Sequence, residues 1–196
     1  MPDEHDPLRR ILLTAFAGLT LMNVMPASAA SSIANVQGKS RILVAYFSRS
    51  GNTRVIAGII HHSLQTDIFE IEPATPYPED YFHTVEQAKA EHDSGLKPPL
   101  KNNIAEIGLY QTIYLGFPVW GTSVPPIVQT FLSTHNLIGK QLIPFITHGG
   151  YGSGNSEDIL ASLVPGSRRE KLLIMECDQE RKTTEMVTSW LDTIHL

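Results

Sequence analysis

The sequence contains a single cysteine, Cys177, among its 196 residues. One cysteine excludes an internal disulfide and a metal site built from clustered thiolates. Histidines do not compensate, because His61, His62 and His148 lack the spacing that metal ligands show with a second cluster. The sequence therefore predicts no metal site.

Basic residues are also few. The 15 Lys and Arg residues against 20 Asp and Glu residues give a net charge of −5, and they form no stripe along the chain. This pattern gives no support for binding to nucleic acid or to an anionic membrane. The mild acidity is compatible with docking to a basic partner, but an ordinary soluble surface has the same composition.

The N-terminal apolar run, residues 11–25, lacks the length of a membrane span, which needs about 20 apolar residues. It follows Arg9-Arg10 and precedes Ala27-Ser28-Ala29, which is the order of basic, apolar and small residues in a secretory signal. We therefore predict that residues 1–29 are an export signal and that residues 30–39 are a polar linker.

The segment Arg9–Leu13 resembles the twin-arginine signal, which exports folded proteins. This resemblance predicts a periplasmic or otherwise exported protein. The alternative is a cytoplasmic protein whose N-terminus is an artefact of the start codon, with Met22 or Met25 as the true start. The N-terminal segment contains no cysteine for lipid attachment, so we expect no stable membrane anchor.

From residue 40 to residue 196, strand and helix patterns alternate. This alternation predicts one α/β domain, a doubly wound, five-stranded parallel sheet with helices on both faces. The predicted strands are residues 41–47, 67–72, 112–117, 141–147 and 171–175, and the predicted helices are residues 53–64, 80–93, 125–134, 153–163 and 180–194.

Ligands of such sheets bind beyond the carboxyl ends of the strands. The loop after the first strand contains hydroxyl, amide and glycine groups and leads into a helix, which predicts a cradle for a phosphate group. It lacks the lysine of nucleotide-triphosphate loops, the glycine pattern of dinucleotide sites and a cysteine nucleophile. The alternative is a simple helix cap. The predicted cradle consists of Ser48, Arg49, Ser50, Gly51, Asn52 and Thr53.

The loops after the third and fourth strands add an aromatic and a glycine-rich segment. Trp120 lies between prolines and suits stacking on a flat aromatic ligand, although an aromatic that fills the core is the alternative. Tyr151 either covers the ligand or is merely exposed, and His148 either contacts the ligand or caps a turn. Four glycines between residues 147 and 154 allow close approach of the backbone.

These loops resemble the flavodoxin family, specifically a short-chain, flavodoxin-like branch. The resemblance rests on four motifs in the same order, and it covers the chain from about Ser40 onward. It implies the strand order 2-1-3-4-5 and the cofactor FMN. The motifs are Tyr46–Thr53, Tyr77–Tyr81, Gly116–Trp120 and Thr147–Gly150.

The resemblance also implies which residues contact FMN. The phosphate would contact the cradle defined above, and Tyr151 departs from the small residue common in this branch. The isoalloxazine ring would contact Pro118, Val119, Trp120, Gly121 and Thr122 in one loop and Thr147, His148, Gly149, Gly150, Tyr151 and Gly152 in the other.

Two functions follow from this resemblance. The favoured one is a one-electron carrier, or a flavin-bearing partner of another redox enzyme, so that the partner is an unidentified redox protein or small electron acceptor. The alternative is an NAD(P)H-dependent quinone or flavin reductase. The protein is thus either an electron carrier or an enzyme, and no catalytic side chain is predicted because the flavin carries the chemistry. A scaffold without flavin is the weakest interpretation.

The export prediction can be tested at Arg9-Arg10. Replacing both arginines by lysine should retain the protein in the cytoplasm, because twin-arginine transport requires the arginine pair. Cell fractionation measures this, with the parent chain as the control. Equal export of both forms would contradict the twin-arginine assignment, and a parent that stays cytoplasmic with Met1 intact would contradict the signal itself.

Overall fold

The computed structural model describes residues 41–176 and 180–194. The predicted signal, residues 1–29, the linker, residues 30–39, and Cys177 lie outside the described residues. The strands are β1 Arg41–Tyr46, β2 Asp67–Glu70, β3 Tyr110–Pro118, β4 Gln141–His148, β5 Arg168–Arg169 and β6 Leu173–Glu176. The helices are α1 Asn52–Leu64, α2 Tyr81–Ser94, α3 Pro126–Thr134, α4 Ser156–Leu163 and α5 Glu180–Leu191, and a short 3₁₀ turn covers Ile107–Leu109.

The strands form one parallel sheet in the order β2-β1-β3-β4-β5, with β6 also paired to β4. This order confirms the predicted fold. The fifth position differs from the prediction of a single strand, because two short strands occupy it in succession. β5 pairs with the beginning of β4, and β6 pairs with its end.

Both faces of the sheet are buried. Along β1, Leu43 and Ala45 belong to the core cluster that α3 and α4 cover, whereas Val44 and Tyr46 belong to the cluster that α1 and α5 cover. Helices on both faces explain why the strands are continuously apolar rather than alternating. Within residues 41–176 and 180–194, no helix combines the length and the hydropathy needed to span a membrane.

Most element boundaries lie within a few residues of the predicted ones. The largest differences are three residues: α4 starts at Ser156 instead of residue 153, and α5 ends at Leu191 instead of residue 194. Gly152 and Gly154 have φ angles of 70° and 56°. These left-handed conformations cannot continue a right-handed helix, so α4 begins after them.

The centre of the sheet depends on one glycine. A Cβ atom at Gly116 would lie 2.1 Å from the ring of Phe145, which is fully buried. The two residues are directly paired between β3 and β4. The aromatic ring therefore occupies the space that a side chain at Gly116 would need.

We expect Gly116→Ala to lower the free energy of unfolding by about 1–3 kcal/mol, because the added methyl group overpacks the core. Urea denaturation measures this change. The matched control is Gly58→Ala in α1, where a Cβ atom meets nothing within 4 Å. The control should raise stability by about 0.5–1 kcal/mol, since alanine favours a helix. Equal effects at the two sites would contradict the packing argument.

Candidate functional site

The three predicted loops meet at the carboxyl edge of the sheet. Tyr46 at the end of β1 pairs with Gly116, and Pro118 at the end of β3 pairs with Thr147. Beyond the strands, the N–H of Val119 donates to the carbonyl oxygen of Thr147 at 2.9 Å. The register of the sheet thus brings together loops that are up to about a hundred residues apart in the chain.

The first loop has the backbone geometry of an anion cradle. Gly51 has φ 95°, and it precedes the first residue of α1. A left-handed residue before a helix turns successive N–H groups toward one side, and the N–H groups of Asn52 and Thr53 have no partner within the helix. A Cβ atom at Gly51 would meet nothing within 4 Å, so the space above the loop is open.

Ser48 stabilises this loop from within. Its buried hydroxyl oxygen accepts hydrogen bonds from the N–H groups of Gly51 at 3.2 Å and Arg54 at 3.3 Å. Both bonds use the oxygen as an acceptor, so the hydroxyl hydrogen remains for donation to an anion. Ser50, by contrast, is exposed at the tip of the loop.

A buried pair of hydroxyl groups connects the first and third loops. Thr53 Oγ1 and Thr147 Oγ1 are 2.9 Å apart, and both residues are almost fully buried. Their side chains therefore bond to each other. This geometry fixes the start of α1 against the end of β4, a role that the sequence did not reveal.

Arg49 points to a different part of the molecule from the rest of the cradle. Its guanidinium group donates to the carbonyl oxygen of Glu79 at 2.8 Å and to Thr84 Oγ1 at 3.3 Å. It also lies 5.7 Å from the ring centroid of Tyr81. Arg49 thus connects the first loop with the segment that begins α2, and two of the four sequence motifs are in contact through it.

A charged cluster flanks the cradle on the other side. Glu70 accepts hydrogen bonds from the hydroxyl group of Tyr46, at 3.0 Å, and from the guanidinium group of Arg54, with which it forms an ion pair. Burial, the largest contribution, raises the pKa of Tyr46, and the hydrogen bond to Glu70 raises the pKa of Arg54. Both groups therefore keep their protons at neutral pH, and the charge of Arg54 is paired with that of Glu70.

The second loop is a tight turn. Trp120 and Ser123 exchange two backbone hydrogen bonds, at 3.0 and 2.9 Å, and the two residues between them have positive φ angles, 54° at Gly121 and 67° at Thr122. Positive φ at both central residues defines a type I′ turn. Glycine adopts this conformation freely, but a β-branched residue such as Thr122 is strained in it.

Trp120 is half-buried and held by two aromatic rings. Its ring centroid lies 5.1 Å from that of Phe47 and 4.8 Å from that of Tyr77, with interplanar angles of 81° and 79°. Edge-to-face contacts of this kind favour one orientation of the indole ring. Trp120 packs on the core and remains partly accessible, which is compatible with both predicted alternatives.

A buried carboxylate supports this aromatic group from α2. Glu91 is only 4% exposed and accepts hydrogen bonds from the hydroxyl group of Tyr77, at 2.9 Å, and from the amide of Gln87, at 2.8 Å. Burial, followed by the bond to Glu91, raises the pKa of Tyr77 far above its usual value. Tyr77 therefore stays protonated and serves as a fixed donor.

The third loop exposes its backbone. The N–H of Gly150 donates to His148 Nδ1 at 3.0 Å, so His148 caps a turn, as one of the two predicted alternatives had it. Tyr151 is 87% exposed and is therefore a surface aromatic residue in this structure. Gly149 is exposed, and Gly150 and Gly152 have φ angles of 105° and 70°, which only glycine adopts readily.

Comparison with known proteins identifies the family. The family model described as flavodoxin matches residues 41–194. The chain belongs to the flavodoxin family. The predicted resemblance is therefore confirmed, and the match spans all of the described residues. A comparison with curated proteins gave no match.

Solved structures agree with this flavodoxin assignment. A protein of Bacteroides eggerthii, assigned as a flavoprotein, is 31% identical, with a TM-score of 0.69, and the match covers 80% of this chain and 98% of that chain. A similarly assigned protein of Bacteroides uniformis is 28% identical, with a TM-score of 0.68, over 77% and 99% of the two chains. A Lactobacillus acidophilus flavoprotein in complex with FMN is 18% identical, with a TM-score of 0.61, over 76% and 99%, and shows the shared fold.

The support of Trp120 by Glu91 can be tested with Tyr77→Phe. We expect a loss of about 1–3 kcal/mol of unfolding free energy, because the buried carboxylate loses a donor that water cannot replace. The control is Tyr110→Phe, whose hydroxyl group donates to exposed Asp67 at 2.8 Å. Thermal or urea unfolding should show a clearly smaller loss for the control. Equal losses of unfolding free energy would mean that the hydrogen bond to Glu91 stabilises the fold no more than an exposed hydrogen bond does.

Proposed function

We propose that this flavodoxin-family protein binds FMN and carries electrons, one at a time, to or from a redox partner. The observation that supports it most is the convergence of an open, glycine-bearing helix N-terminus with a half-buried indole at one edge of the sheet. A phosphate group and a flat aromatic ring are the two ends of FMN. Family membership supports the same cofactor.

The first loop would hold the phosphate group. The N–H groups of Asn52 and Thr53 and the hydroxyl group of Ser48 are the donors, and the dipole of α1 favours a negative charge there. Gly51 allows the phosphate group to approach the backbone closely, because glycine has no side chain and the space at this position is open.

This assignment predicts a preference for FMN over riboflavin. Without the phosphate, several charge-assisted hydrogen bonds are lost, which should weaken binding by at least about 100-fold. Quenching of flavin fluorescence measures both affinities on the apoprotein. Equal affinities would place the phosphate elsewhere.

Gly51→Val provides a second test of the cradle. The branched side chain would fill the open space at φ 95°, so we expect FMN binding to be lost while the domain still folds. The control is Gly139→Val, which has φ 76° and equally open surroundings, but lies between α3 and β4, away from the three loops. Loss of binding in both variants would indicate general destabilisation, and loss in neither would move the phosphate site.

The second and third loops would hold the isoalloxazine ring. Trp120 provides an aromatic surface, and the glycine-rich loop provides backbone polar groups at close range. When bound, the flavin supplies the redox chemistry, and the protein tunes its potentials through such contacts. Gly121 lies at the point of the turn where a peptide can present its carbonyl oxygen to the ring edge.

One-electron transfer is favoured over NAD(P)H-dependent reduction because Trp120 offers an aromatic surface to the ring. In addition, the carbonyl oxygen of Gly121, to which no hydrogen bond is recorded within residues 41–176 and 180–194, is available to the ring edge. Stepwise anaerobic reduction of the loaded protein should show long-wavelength absorption that rises and then falls, and NADH should reduce it slowly. Direct conversion to the fully reduced form, with rapid NAD(P)H oxidation and quinone turnover, would support the reductase instead.

A further inference from the structure

The turn at residues 120–123 maintains a strained residue. Among the described residues other than glycine, only Gln65 and Thr122 have positive φ angles. Gln65 ends α1, where its N–H donates a capping bond to the helix. Thr122 has a positive φ because the type I′ turn requires it, although a β-branched residue is strained there. A residue in a sparsely populated conformation costs on the order of 1–3 kcal/mol, and it persists only where its surroundings enforce it.

The residues before α4 provide this enforcement. The N–H of Asn155 donates to the carbonyl oxygen of Thr122 at 2.9 Å. At Gly154, with φ 56°, a Cβ atom would lie 2.0 Å from that same oxygen and 2.9 Å from the Cα of Thr122. The backbone of Gly154 therefore packs directly on the backbone of Thr122, in a space that admits no side chain.

These contacts hold the turn selectively. The carbonyl oxygen of Trp120 accepts from Ser123, and the carbonyl oxygen of Thr122 accepts from Asn155. Within residues 41–176 and 180–194, no hydrogen bond is recorded to the carbonyl oxygen of Gly121. Two peptides of the turn are fixed, and the peptide between them is left with an unused acceptor.

We propose that Gly154, together with the backbone amide of Asn155, is a positioning site that holds the Trp120–Ser123 turn in the conformation that receives the FMN ring. The inference rests on the proposed function. It adds a positioning role for Gly154 and Asn155, neither of which is among the predicted FMN contacts. The two residues act through Thr122 rather than by touching the ring.

The variant Gly154→Ala tests this inference directly. Its methyl group would push the backbone of Thr122 away, so we expect FMN affinity to fall at least tenfold and the flavin reduction potentials to shift. The matched control is Gly95→Ala at the end of α2, where φ is 66° and a Cβ atom meets nothing within 4 Å. Both variants place alanine in the left-handed region, but only Gly154→Ala collides with Thr122. The control should retain the affinity and potentials of the parent.

Tryptophan fluorescence of the apoprotein distinguishes a displaced turn from a general loss of folding. In a Trp190→Phe background, Trp120 is the remaining tryptophan. Gly154→Ala should then change the emission of the folded apoprotein, and Gly95→Ala should not. If Gly154→Ala does not fold, amide hydrogen exchange of the parent protein serves as the test instead. The amide of Asn155 should then exchange more slowly once FMN is added.

The outcomes distinguish the inference from the proposed function. If the parent binds no FMN, the proposed function is wrong. If the parent binds FMN and Gly154→Ala binds it equally well with unchanged potentials, the positioning role alone is wrong. An Asn155 amide whose exchange does not respond to FMN would likewise overturn the inference while leaving the cofactor assignment intact.

Discussion

The parallel register of β1, β3 and β4 is the constraint on which the candidate site depends. These three strands are buried on both faces, so their relative positions are fixed by packing and cannot slip without moving apolar residues. Direct contact of the Phe145 ring with Gly116 fixes β3 against β4 at the centre. Because the loops start where the strands end, this register sets the distances among all three loops.

Contacts between loops then supplement the sheet. The hydroxyl pair of Thr53 and Thr147 joins the first loop to the third, and the bond from Asn155 to Thr122 joins the beginning of α4 to the second. Each contact uses a group that is buried or belongs to the backbone, and breaking its hydrogen bond would leave a polar group without a partner at a cost in free energy. A site composed of loops is thus supported at several independent points.

Much of the fold was predictable because its signals are local. Apolar strands, glycine turns and helix periodicity determine the alternating elements, and strand order followed from the family resemblance. The division of the fifth position into β5 and β6 was not predictable, since Arg168–Arg169 has no strand pattern and pairs only because Lys140 and Leu142 present backbone partners. That pairing depends on tertiary contact rather than on local sequence.

For the candidate site, the orientations of the side chains were not predictable from the sequence. The sequence placed Arg49 and Thr147 among the cofactor contacts, whereas their side chains bond to Thr84 and Thr53. Buried Glu91 also escaped notice, because a glutamate in a polar helix suggests only a solvated face. Such roles arise from partners that are distant in sequence, and the hydrophobic periodicity of a segment does not indicate them.

The division of the fifth strand position has a consequence for association between molecules. An uninterrupted edge strand presents a row of unpaired N–H and C=O groups to which another chain can add. Here the row is broken into segments of two and four residues, with an arginine pair in the first. A neighbouring strand would find too few consecutive partners to form a stable ladder, so this edge of the sheet resists growth by strand addition.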